Sequence, residues 1–369
     1  MPTARQRLYD VKRTSRLQLF DVLFRSWGST PSSFPPVPFV IPANAGIHVR
    51  HRNAFHMNLE TCLPRELQGP ATTITPMAAG LSGAGVYRVD AAGSAYALKV
   101  SDESEPVERW RGKVHIQQMA ANTGLAPRIF HVNASRRAVL SEFVTDQSFP
   151  ALFGNPLTRD AALVQLGRTI RHVHDLPLPA DASCKDPRDL LSEITNGLDV
   201  DFVVPAFVAD AIRWGLTQEP PAADRAEVLS HNDVNPSNLV YDGESLMLLD
   251  WEVAGRNDPY YDLAAVAVFL RMDAETCRKL IEIHDAAPVA TLPERFIYVR
   301  RLVATLVGAM LMRLARASGH GGAKPSDTLE SVSGLAESYQ AMRVGTISLA
   351  TGDGKLTFGM ALIKASTGF

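Results

Sequence analysis

Residues 229–262 read LSHNDVNPSNLVYDGESLMLLDWEVAGRNDPYYD. His231, Asp233 and Asn238 form an H-x-D-x-x-x-x-N pattern, and Asp250 opens an Asp-Trp-Glu triplet. Between them, Leu239 to Tyr241 has the composition of a strand, Asp242-Gly243 that of a tight turn, and Leu246 to Leu249 that of a returning strand. A hairpin so placed brings Asp250 back beside Asn238. His231 is expected to brace the loop by hydrogen bonding.

That convergence suits phosphoryl transfer. An Asp in such a loop can take the proton of an acceptor hydroxyl. The Asn five residues on can ligate a divalent cation, and the Asp beyond the hairpin can hold a cation that bridges phosphates. Asp233 is therefore the expected base, and Asn238 and Asp250 the expected Mg²⁺ ligands. Mg²⁺ takes few protein oxygens and keeps phosphate and water for the rest of its shell. A single Asp or Asn near a turn ordinarily serves as a local cap; the joined pattern goes beyond that.

Upstream, Gly80, Gly83 and Gly85 punctuate a segment that runs into Val86 to Val89. Residues 91–94 then turn the chain, and Ala95 to Val100 alternates like a strand and carries Lys99. Without a Cβ, backbone N–H groups can approach phosphate oxygens closely, and Lys99 on the next strand can reach the α- and β-phosphates. Pro106 to Asn122 reads as a helix with Pro in its first turn and Gly124 past its end. Glu108 on it, or His115, or neither, pairs with Lys99. Ala138 to Val144 reads as a strand entering a hinge, where backbone groups of Glu142 and Val144 would meet an adenine edge.

The remainder is mainly helical by periodicity, with helices expected at residues 158–175, 187–197, 205–216, 258–272, 274–286, 293–318 and 326–342. The last segment, 347–369, has strand-like, glycine-rich features. Residues 1–56 carry eight Lys or Arg against two acids, and five prolines break residues 30–42. A poorly ordered basic extension is expected there, with Met57 as an alternative start.

The 369 residues are enough for two lobes with separate cores. A net charge of −2 gives no electrostatic ground for a nucleic-acid or anionic-membrane partner. Cys62, Cys184 and Cys277 are scattered and odd in number, which supports neither a disulfide framework nor a zinc site and fits a reducing cytoplasm. The longest apolar runs, Leu263 to Leu270 and Leu302 to Met312, fall short of the about 20 residues that cross a bilayer and read as buried helices.

HNDVNPSNLVYDG and LMLLDWEVAGRNDPYYDLA, with LGRTIRHVHDLPLP before them, resemble the bacterial choline and ethanolamine kinase, thiamine kinase and aminoglycoside phosphotransferase superfamily. The resemblance implies an α+β, protein kinase-like two-lobed fold, with an N-terminal antiparallel sheet lobe carrying one helix and a mainly helical C-terminal lobe. The nucleotide-binding lobe would span residues 57–144, the catalytic and acceptor-binding lobe 145–345, and a tail 346–369. It also implies ATP, Mg²⁺ and transfer of the γ-phosphoryl to a small-molecule hydroxyl. The family motif carries onto Asp233 as base, Asn238 and Asp250 as metal ligands, Lys99 as phosphate contact, and Glu252 as a further metal ligand or substrate-facing acid. The wording HND and DWE-x-A-G-x-NDP is more similar to the choline and thiamine kinases than to the aminoglycoside enzymes. A quaternary ammonium is drawn to ring faces by about 0.5 to 2 kcal/mol per contact, and Trp251, Tyr260, Tyr261 and Tyr298 are the aromatics on hand. An aminoglycoside phosphotransferase and a nucleotide-binding protein without transferase activity are the competing readings.

Overall fold

The structure is a computed structural model and describes residues 58–77, 85–182 and 186–368. The expected basic extension at residues 1–56, Met57, Gly80, Gly83 and Cys184 lie outside them. Five strands, β1 (Thr73–Pro76), β2 (Gly85–Ala91), β3 (Ser94–Val100), β4 (Ile129–Asn133) and β5 (Ala138–Glu142), form one antiparallel sheet in the order β1-β2-β3-β5-β4. Ala92 and Gly93 turn the chain with φ of 51° and 77°. Two positive φ values in a two-residue turn match the right-handed twist of the flanking strands and fix their register, which pairs Val86 with Lys99.

Successive residues of a strand point to opposite faces. Leu98 and Leu140 therefore pack with Cys62 and Leu63, which precede the sheet. Val139 meets Trp110 and Val114 of helix α1 (Val107–Asn122) on the other face. Lys99, paired with Val139 in the register, is turned to that second face.

The rest is mainly helical, as expected: α2 (Phe149–Gly154), α3 (Arg159–His174), α4 (Pro187–Thr195), α5 (Ala206–Thr217), α6 (Tyr260–Phe269), α7 (Ala274–Asp285), α8 (Glu294–Ala317), α9 (Leu335–Arg343) and α10 (Gly352–Ser366), although α2 lies outside the expected helices and the helix expected at residues 326–342 begins only at Leu335. Every residue of α6 is buried, and α8 runs through the middle of the main core. Both apolar runs of the sequence fall in these helices. Among the described residues no helix is long and apolar enough to cross a membrane.

The last segment departs from its expectation. Within the expected tail at 346–369, whose strand-like, glycine-rich features assigned it no element, residues 352–366 form a largely buried helix that packs along α8. Its glycines serve close approach: a Cβ on Gly308 of α8 would lie 2.7 Å from the Gly359 carbonyl oxygen of α10 and 2.5 Å from an Ile363 carbon. Gly308→Ala is expected to destabilise the protein by about 1 to 3 kcal/mol, the usual cost of overpacking. A thermal melt reads this, and an unchanged midpoint would contradict the tight α8–α10 seam.

Candidate functional site

Two short strand pairs hold the site. β6 (Val228–Ser230) pairs with β9 (Gly255–Asn257), and β7 (Leu239–Tyr241) pairs with β8 (Leu246–Leu248). Residues 231–238 loop between β6 and β7, and Asp250 follows β8. Asn232 and Asp250 adopt left-handed backbone, with φ of 63° and 64°. Asn and Asp enter this region more readily than other residues with a side chain.

The loop is tied down by side chains. His231 donates from Nε2 to the Leu249 carbonyl (2.9 Å), its ring lies edge-on to Trp251, and burial pulls its pKa below the ordinary histidine value. Asn232 donates to the Val253 carbonyl (3.0 Å) and accepts from Asn257 (2.7 Å). The backbone N–H groups of His231 and Asn232 donate to the two carboxylate oxygens of Asp262, each at 2.8 Å. His174 of α3 holds Asp262 from behind, at 3.1 Å.

Asp233 is nearly buried and accepts from both flanking amides, Asn238 Nδ2 at 2.7 Å and Asn235 Nδ2 at 2.9 Å. Burial, aided by the negative charge of Asp250, raises its pKa well above the usual carboxylate range, and the two amide donors only partly oppose this. Lys99 reaches across from the sheet to Asp250 (2.8 Å) and Glu252 (2.7 Å). Burial works against the ammonium, but the two carboxylates outweigh it and hold the amine above its ordinary pKa. Burial likewise opposes the Asp250 carboxylate, yet Lys99 lowers its pKa.

Asp233, Asn238, Asp250 and Lys99 are thus brought together, as the sequence reading required. The lysine's helix partner is absent from that group. Glu108 pairs with Arg111 on the exposed face of α1 (2.9 Å), and His115 is exposed. Glu252, in the short turn Trp251–Val253 packed beneath α1, supplies the second carboxylate instead. Glu142 lies at the end of β5, and its N–H already donates to the Arg128 carbonyl (2.8 Å). Glu142 can therefore meet a ligand edge only as an acceptor through its own carbonyl. The hinge beyond the half-buried Val144 is stitched to the β7–β8 hairpin: Gln147 N–H donates to the Tyr241 carbonyl (2.7 Å), and Asp146 accepts from Tyr241 N–H (3.0 Å). Gly85, the one described glycine of the three, opens β2 opposite Val100.

Two of the expected acceptor aromatics need correcting. Trp251 is 2% exposed, with its indole N–H donating to the Leu248 carbonyl, and Tyr260 is fully buried against Phe296. Both are core side chains whose ring faces are already taken, Trp251 by the edge of His231 and Tyr260 by Phe296 and the Arg225 guanidinium 4.5 Å from its centroid. Tyr261 is buried as well. Tyr298 is buried too, with its hydroxyl donating to the Gln218 carbonyl (3.2 Å), but it lines a cavity of about 230 Å³ together with Trp214, Glu219, Glu294 and Arg301. Arg295 contacts both Asp258, between β9 and α6, and the carbonyl of Pro221, a wall residue of this cavity. Asp262, His174, Asn235 and Asn257 were given no role from sequence. A single acid in the otherwise apolar run YYDLAAVAVF was the available signal for Asp262.

The oxygen donors fit a hard divalent cation. Asn238 commits its amide nitrogen to Asp233, which leaves its carbonyl oxygen to face a cation, and the carboxylates of Asp250 and Glu252 lie beside Lys99. No group of three or more His, Cys, Asp or Glu that could hold a metal occurs among the described residues. A cation completed by phosphate and water needs no such group.

The chain matches the phosphotransferase enzyme family over residues 73–295. It is 35% identical over 52 residues to Protein LicA of Haemophilus influenzae, a match that covers 14% of this chain and spans only 20% of that relative's length. Its fold is similar to a choline/ethanolamine kinase family protein from Mesorhizobium loti, with 16% identity and a TM-score of 0.52 over 83% of this chain and 97% of the other. It is also similar to LicA in complex with AMP, with 14% identity and a TM-score of 0.53 over 79% of this chain and 95% of the other.

Proposed function

Because this chain belongs to the phosphotransferase enzyme family, we propose that it transfers the γ-phosphoryl group of ATP to a hydroxyl of an amino alcohol of the choline, ethanolamine or thiamine type. The observation that carries the reading is the meeting of Lys99 with Asp250, 151 positions apart in the chain, next to an Asp233 locked by two amides. A structural neighbour was solved with AMP, which supports nucleotide binding by residues 57–144. Gly80, Gly83 and Gly85 would offer backbone donors to phosphate, Lys99 its amine, and Glu142 and Val144 the hinge backbone. Residues 145–345 would hold the acceptor and the catalytic groups.

Asp233 receives the acceptor's hydroxyl proton, and Asn235 and Asn238 keep its carboxylate aimed. Its raised pKa lets it retain that proton once the new P–O bond has formed. Asn238 and Asp250, with Glu252 beside them, would hold Mg²⁺, which neutralises charge on the phosphates when bound. The other groups act by positioning, which supplies much of the acceleration when the transition state is loose.

Tyr298, Glu219 and Glu294 suit a cationic acceptor. Arg301 already covers one face of Trp214 at 3.9 Å, so the Tyr298 ring and the two acids are the cation-attracting groups left. Tyr298→Leu is expected to raise the acceptor KM about 2- to 30-fold, the equivalent of about 0.5 to 2 kcal/mol, with kcat within about twofold. An effect on kcat alone would exclude the cavity as acceptor site. The deciding experiment is an ADP-release screen over choline, ethanolamine, thiamine and aminoglycosides, with product identified by mass. Turnover with an amino alcohol supports the proposal. Antibiotic-dependent release would replace it with an aminoglycoside enzyme, and ATP binding without any product would leave a nucleotide-binding protein.

A further inference from the structure

Behind the loop that carries Asp233, buried ionisable side chains form a continuous line. His174 Nε2 lies 3.1 Å from Asp262 Oδ2, His174 Nδ1 lies 2.9 Å from His284 Nε2, and His284 Nδ1 lies 2.7 Å from Asp285 Oδ1. Arg225 closes the outer end with two contacts to Asp285, at 2.5 and 2.6 Å. Asp262 is 0% exposed, and the side chains of His174 and His284 are 4% and 8% exposed. The line therefore leads from the amides of His231 and Asn232 through the interior to Arg225, which is partly exposed.

Each of the three contacts to a histidine nitrogen needs a hydrogen. Neither carboxylate can supply one. Burial works against ionised Asp262, but the hydrogen bond from His174 outweighs it and its pKa is lowered. Burial opposes Asp285 too, yet His284 and Arg225 bring it down to about 2. All three hydrogens must then sit on ring nitrogens. Two neutral imidazoles carry only two.

We infer that His174 and His284 hold a third, shared proton, and that this single charge between Asp262 and Asp285 fixes the anchor of the catalytic loop. The charge balance agrees. Facing the pair are Asp262 from α6, Asp285 at the end of α7 and Arg225 from the segment before β6; His231 stands beyond Asp262 as a neutral donor, and Asp224, half-exposed, lies 3.9 Å from Arg225 on the outer side of the buried line. One shared proton makes two negative and two positive charges, whereas its loss leaves the buried line one charge short. A second extra proton is disfavoured: burial holds His284 below the ordinary histidine pKa although its bond to Asp285 pulls the other way, and the neighbouring imidazole and Arg225 add to the lowering. The proton belongs to the pair and not to either ring alone.

Its loss leaves two hydrogens for three contacts, so a ring lone pair must face either a carboxylate or the other ring. His174 and His284 are accordingly positioning residues for the site read above as a kinase, and only the kinetic part of the test rests on that reading. In nitrogen-edited NMR of the imidazoles of the full chain, scanned from about pH 5 to 8.5, three protonated ring nitrogens are expected on the pair at the acid end and two at the alkaline end. In kinetics, kcat should fall through the same pH while the KM for ATP holds. Asp285→Asn, which removes one flanking charge, should move both transitions down by at least about one pH unit. His284→Gln keeps a donor to His174 without the charge and should erase the alkaline limb; it serves as the second variant if Asp285→Asn does not fold. Two neutral rings throughout, or an unmoved limb in Asp285→Asn, would overturn the inference. The NMR count does not depend on turnover: three ring hydrogens in a chain that phosphorylates nothing would uphold the pair and sink the kinase reading.

Discussion

Asp233→Asn is expected to lower turnover by roughly 10²- to 10⁴-fold, the contribution of a positioned general base, with a thermal midpoint close to wild type. The side chain keeps its volume and one carbonyl oxygen, so Asn238 or Asn235 retains an acceptor. What disappears is the group that takes the acceptor's proton. Stability should also change its dependence on pH. Burial raises the folded pKa of Asp233 above its unfolded value, so the wild type is favoured below the unfolded value and loses that stability as pH rises through the folded one. The variant should lack this loss. Steady-state kinetics and melts across pH check both points, and turnover within a few-fold of wild type would remove Asp233 from the chemistry.

Asp250→Ala should cost about 10³-fold or more in turnover, because several kcal/mol of transition-state charge stabilisation depend on the cation that Asp250 would hold. Lys99 would remain paired with Glu252, so the fold is expected to persist. Asp250 is also the second cause of the raised Asp233 pKa. Any residual activity should therefore show its acid limb at lower pH than wild type, a displacement that mere misfolding would not produce. Wild-type rates in Asp250→Ala at saturating ATP and Mg²⁺ would refute the assignment.

These residues could be read from sequence because their relations are local or periodic. Asp233 and Asn238 share one loop, a three-residue hairpin strand returns Asp250 to them, and Lys99 follows a two-residue turn that fixes its face. The partner of Lys99 could not be read that way. Whether Glu108, His115 or Glu252 takes the amine depends on how the turn at 251–253 packs under α1, which no spacing encodes. Trp251 and Tyr260 failed for a related reason, since an aromatic side chain looks the same in sequence whether it lines a cage or fills a core. Strands β6 and β9 have three residues each, too few for an alternation to register. In α10, Gly352, Gly354 and Gly359 make the segment look glycine-rich and unlike a helix, although Gly359 is there to let two helices touch.

The paired carboxylates on Lys99 also bear on how the cleft is loaded. The amine comes from the sheet and the acids from the helical half, so together they clasp the two halves. A polyanion that draws the amine away frees both acids for a cation, and a cation that takes the acids frees the amine for the polyanion. Each guest thus unlocks the seat of the other, and the two should enter with mutual help in place of independent affinities.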